Sequence, residues 1–70
     1  MGWTWRYEAR DGTVLDRPDS APGEPFPAQG DAESWVGEAY PELVAAGVDA
    51  VTLFEDDRLV YGPMSLHPPA

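Results

Sequence analysis

Residues 31–47, DAESWVGEAYPELVAAG, decide the fold. Ala32, Trp35, Val36, Ala39, Tyr40 and Leu43 recur at the three-four spacing that lines one face of a 3.6-residue helix. Asp31 has the short acceptor side chain of an N-cap, although a cap one or two residues earlier fits the same pattern. Glu33 adds negative charge to the first turn, beside backbone N–H groups that have no partner within the helix. Gly47 supplies the C-terminal stop. Pro41 interrupts the pattern, because an interior proline deletes a backbone hydrogen bond and crowds the turn before it, at a cost of about 3 kcal/mol. Either the helix kinks there or it splits. The preferred reading is two pieces, roughly 31–40 and 41–46, with Pro41 opening the second.

Outward from the helix, the chain reads as sheet. Residues 3–9, WTWRYEA, set Trp3, Trp5, Tyr7 and Ala9 against Thr4, Arg6 and Glu8 in the period-2 alternation of a half-buried strand. Asp11-Gly12 suits a two-residue type I′ turn, and residues 13–16 return as a second strand. That turn would face Ala9 with Val14 and Glu8 with Leu15, so Trp3, Trp5, Tyr7 and Val14 form the apolar side. Residues 17–30, RPDSAPGEPFPAQG, carry four prolines and two glycines without periodicity and form a loop. Loops of this length are functional, disordered or folded down over something. Phe26, between Pro25 and Pro27, is its expected anchor near the helix entrance.

Beyond the helix, residues 50–55 and 58–61 form a second hairpin around Asp56-Asp57. Pairing Glu55 with Arg58 brings opposite charges together and sets Phe54 against Leu59 and Leu53 against Val60. Both faces are then apolar, with Val51, Leu53 and Val60 on one side and Phe54, Leu59 and Tyr61 on the other. Met64-Ser65-Leu66 can extend the strand past a bulge at Gly62-Pro63. Residues 67–70 read as a flexible tail.

The order β-β-α-β-β predicts a single α+β domain spanning residues 1–70: a four-stranded antiparallel sheet with the helix on one face. Strand order 2-1-3-4 is preferred over 1-2-3-4 because it places the tryptophan strand inside the sheet. The helix covers only one face. Phe54, Leu59 and Tyr61 are therefore left on an open face, to be covered by the Pro-rich loop, a second copy of the chain or another protein.

Thirteen acids against four arginines give a net charge of -9, and there is no lysine. Such a surface repels phosphate backbones and argues against direct DNA or RNA binding. It favours encounter with a basic protein and keeps a small domain soluble. Seventy residues bury only about 60% of the surface exposed by the unfolded chain. With no cysteine, neither disulfides nor thiolate zinc sites contribute. Redox compartment is left open by the lack of cysteine, but a cysteine-free chain whose N-terminus does not read as a signal peptide is expected in the cytoplasm, and no uncharged run is long enough to span a membrane.

Catalytic equipment is sparse. His67, the single histidine, lies in the tail, and Ser20, Ser34 and Ser65 have no histidine at recognisable spacing. No glycine-rich phosphate loop is present. Glu55-Asp56-Asp57 lacks the alternating ligands and central glycine of a calcium loop and reads as a solvated turn. No catalytic residue, metal or cofactor is assigned. Trp5 and Trp35 read as core, whereas Trp3, at a strand end, is available to a partner.

The run FPAQGDAESWVGEAYPELVAAGVDAVTLFEDDRLVYGPMSL, residues 26–66, together with the WTWRYE start, resembles a family of short acidic actinobacterial proteins of unknown function. The shared features are the phenylalanine-proline loop, the acid-alanine-glutamate-tryptophan helix start and the final V-T-L and V-Y-G-P-M-S-L hairpin. That resemblance implies no activity or cofactor. The arginine-only basic composition agrees with a high-GC genome. The expected function is a non-catalytic interaction or accessory module, docking a protein partner through Phe54, Leu59 and Tyr61, the turn acids Glu55, Asp56 and Asp57, and Trp3. Alternatives are a structural homodimer using the same face, or an acidic mimic of nucleic acid that blocks a basic protein.

Overall fold

The computed structural model describes residues 2–19 and 21–66; the tail expected over 67–70, His67 included, lies outside the described residues, as does Ser20. The chain runs β1 (Trp3–Glu8), β2 (Val14–Leu15), α1 (Gln29–Ala45), β3 (Ala50–Glu55) and β4 (Arg58–Ser65). Every neighbouring pair is antiparallel, in the order β2-β1-β3-β4. The α+β class and the interior position of the tryptophan strand are as expected. Trp5 faces Leu53 and Tyr7 faces Val51 across β1 and β3. Above them α1 buries Ala32, Val36, Ala39 and Leu43. Leu43, Val51 and Leu53 are wholly enclosed at the centre of this core. The Trp5 indole Nε1–H donates to the Ala32 carbonyl at 3.0 Å, satisfying a buried donor and tying β1 to the helix.

The first hairpin is shifted by one residue from the two-residue turn. Tyr7 pairs with Leu15 and Glu8 with Val14. Three residues, Arg10, Asp11 and Gly12, make the connection: the Gly12 N–H donates to the Ala9 carbonyl at 2.9 Å and the Ala9 N–H to the Thr13 carbonyl at 2.8 Å. Gly12, at φ 89, closes the turn. Asp11 Oδ1 accepts from the Thr13 N–H at 2.9 Å, which favours this longer connection. Because side chains alternate along a strand, the one-residue shift exchanges two roles. Leu15 joins the core side, and Val14 points outward, 59% exposed.

The helix also differs from its expected bounds. It starts at Gln29 with extended Ala28 (φ -147, ψ 155) as N-cap and no side-chain cap, so Asp31 lies in the first turn rather than at the cap. The entry is held from outside the helix. Phe26 exchanges backbone hydrogen bonds of 2.9 and 2.8 Å with Trp3, and its ring lies 5.6 Å from Trp35. From the first turn Gln29 Nε2 reaches one turn on to donate to Glu33 Oε2 at 3.0 Å, so Glu33 lies beyond the first turn in which it was expected. Phe26 is thus the loop anchor, and Ala21 joins it in the core.

The split at Pro41 does not occur, and α1 is continuous through it. Pro41 and Gly37, whose carbonyl loses its donor, are both solvent-exposed, so water can satisfy the freed acceptor. Ala39 and Leu43 on the opposite side are buried and hold the last turn in register. At the C-terminus the Gly47 N–H donates to the Val44 carbonyl and the Val48 N–H to the Leu43 carbonyl, each at 3.0 Å. This is a Schellman ending, with Gly47 at φ 95 and Val48 packed in the core beside Leu43.

No helix among the described residues is long and apolar enough to cross a membrane.

Candidate functional site

The second hairpin opens with the expected pairs, Glu55 with Arg58 and Phe54 with Leu59. The Arg58 guanidinium reaches Glu55 Oε1 at 2.7 Å. The register then slips, so that Leu53 faces Tyr61 rather than Val60, and slips again before Val51 meets Met64. Each slip inserts an extra residue into β4, and the first turns Tyr61 towards the helix side. There its ring meets Trp5 edge-on with centroids 6.2 Å apart.

The residues expected to form one contact surface are therefore divided. Phe54 and Leu59 share the sheet face away from the helix. Trp3 and Glu55, paired across β1 and β3, lie on the helix side with Tyr61. Asp56 and Asp57 form the exposed turn between the strands. Asp56 adopts φ 53, and its conformation is held by the N-terminal segment: its N–H donates to the Gly2 carbonyl at 2.8 Å, and its Oδ1 accepts from the Gly2 N–H at 2.9 Å. Nothing in the local sequence announces this pairing, because it follows from the β1–β3 register.

On the face away from the helix, the row Thr4, Phe54, Leu59 crosses three strands. Leu59 is 49% exposed, while the Arg6 guanidinium lies 5.2 Å from the centre of the half-buried Phe54 ring. Beside them, buried Glu8 accepts from the Thr52 hydroxyl at 2.6 Å and from Arg6 Nε at 3.2 Å. The Thr52 hydrogen bond holds the Glu8 carboxyl below its ordinary range, with Arg6 assisting and burial opposing. Sequence alternation placed Glu8 on the outer face but gave no sign of its partner, since Thr52 lies 44 positions away. The loop anchors Phe26 and Ala21 pack into the helix-side core and leave Leu59 uncovered.

On the helix side, Trp5, Glu33, Val36, Tyr61 and Met64 line a groove of about 370 Å³ between α1 and β4. The Tyr61 hydroxyl donates to Glu33 Oε2 at 2.8 Å. Burial, then the Glu33 carboxylate as acceptor and neighbouring charge, push the Tyr61 phenol up to about 12.

These groups are poorly matched to proton-transfer catalysis near neutral pH. Glu8 is held ionised, and burial likewise pushes Tyr7 up to about 12 against the opposing charge of Arg17. Among the described residues, no three His, Cys, Asp or Glu side chains are grouped to hold a metal ion. Every buried side-chain polar atom among them has a hydrogen-bond partner, so no orphaned group points to a ligand. No protein-family model, curated protein or solved structure matches the chain.

Proposed function

We infer that this chain is a non-catalytic interaction module of the cytoplasm that docks a basic protein partner on the second hairpin, with Leu59 and Phe54 as the apolar contact and Asp56 and Asp57 of the turn at its rim. The observation that carries this reading is the half-exposed Leu59 beside Phe54, on a sheet face that neither the helix nor the Pro-rich loop covers. Asp56 and Asp57 stand exposed in the turn next to that row. A net charge of -9 favours a basic partner and opposes pairing of two like-charged copies through the same face. The irregular register and Pro63 in β4 interrupt its outer edge, so side-chain contact suits this surface better than addition of a further strand.

The test is affinity capture from a lysate of the source cells, with the wild-type chain and Leu59→Asp compared at low and moderate salt. The expected result is saturable retention of a basic protein by wild type, weakened by salt and abolished by the substitution, which removes the apolar contact without reducing negative charge. Equal retention by both chains, or none by either, would overturn the proposal. Sedimentation of the wild-type chain at micromolar concentration should give a monomer.

A further inference from the structure

We propose that the groove between α1 and β4 binds a lysine side chain presented by an extended basic segment. This groove faces the helix side of the sheet and is separate from the Leu59 surface. Its lining supplies two aromatic rings, Trp5 and Tyr61, two apolar side chains, Val36 and Met64, and one charge, the Glu33 carboxylate. No arginine lines it. An aliphatic stem ending in a cation matches this division, since four methylenes can lie along Val36 and Met64 while the ammonium meets a carboxylate and an aromatic ring.

The state of Glu33 selects lysine over arginine. Its Oε2 already accepts from the Tyr61 hydroxyl at 2.8 Å and from Gln29 Nε2 at 3.0 Å, which orients the carboxylate from two sides. Among the described residues no group donates to Oε1. Arginine gains most from a carboxylate when both oxygens accept its planar fork. One oriented, open oxygen suits the compact ammonium of lysine. The chain itself contains no lysine, so the cation must come from a partner. Tyr61 remains a phenol at physiological pH and keeps its hydroxyl as the donor that positions Glu33.

Capped tetralysine is the probe, titrated into the full chain at near-physiological salt and followed by amide and methyl NMR, with capped tetraarginine in parallel. The expected shifts centre on the Trp5 indole N–H, the Tyr61 ring and the Met64 methyl, and tetralysine binds more tightly than tetraarginine. Glu33→Gln keeps an acceptor oxygen for Tyr61 and replaces the open one with an amide donor, so affinity falls about fivefold. Glu38→Gln, an equal charge change at an exposed position of the same helix, leaves affinity within about a factor of two. Leu59→Asp leaves the titration unchanged, which keeps failure of this groove distinct from failure of the outer face. Equal weakening by both glutamate substitutions, shifts centred elsewhere, or tighter binding of tetraarginine would overturn the proposal.

Discussion

The Glu8 carboxylate accepts a 2.6 Å hydrogen bond from the Thr52 hydroxyl, joining β1 to β3 on the sheet face that the helix does not cover. Thr52 is wholly buried there, so the bond is screened from water. It also explains how an acidic chain keeps a carboxylate inside its sheet.

Thr52→Val should therefore cost about 1–3 kcal/mol near neutral pH, since it removes the main donor to a buried charged acceptor. The pH dependence has a definite sign. Glu8 is lowered from 4.5 in the folded chain, so its contribution is complete above the unfolded value and is lost as pH falls through the folded one. Urea titrations at a series of acidic pH values should show the gap between wild type and variant narrowing towards acid. A gap that stayed constant would mean Thr52 acts through packing alone.

At the alkaline end the tyrosines set the response. Tyr7 and Tyr61 are both raised from 10.0 to about 12, so the folded chain holds protons that the unfolded chain releases. Their stabilisation is complete below about pH 10 and declines as pH rises towards 12. Phenolate absorbance should show two late-titrating tyrosines, and Tyr61→Phe should remove one of them.

Pro41→Ala should stabilise the chain. The substitution restores one helical hydrogen bond at an exposed position and removes the ring from the preceding turn, for a gain of about 1–3 kcal/mol in urea unfolding. A loss would show that the ring itself contributes packing.

Gly62→Ala should be severe. Its Cβ would lie 2.8 Å from Thr52 Cα and 2.9 Å from Thr52 Oγ1, at a φ of +130 that side chains rarely adopt. Thr52 is fixed between Gly62 and Glu8, so a loss of about 3 kcal/mol or more is expected, read as a lowered melting temperature. Gly47→Ala, also at positive φ but with open space around the new methyl, should cost only about 1 kcal/mol.

How much of this was legible in the sequence varies with the range of the interaction concerned. The helical face from Ala32 to Leu43, the alternating strand from Trp3 to Tyr7, the Gly47 stop and the Phe26 anchor all arise from local periodicity and backbone preference, and each is present. The antiparallel order followed from placing the tryptophan strand inside the sheet rather than at an edge. The expected contact set was less legible. Phe54 and Leu59 do share the outer face, but Tyr61 moved to the helix side because an extra residue in β4 reversed its direction.

Amino-acid sequence alone determined which segments become helix and strand, because those preferences depend on near neighbours and on a repeat of 3.6 or 2 residues. Tertiary structure decided the register: whether Val14 or Leu15 enters the core, whether Tyr61 faces the helix, and whether Pro41 breaks it. A one-residue slip costs little in local preference but exchanges the two faces of a strand, so the choice falls to burial against partners far away in the chain. For Tyr61 the new neighbours are Trp5 and Glu33, and for Glu8 the deciding neighbour is Thr52.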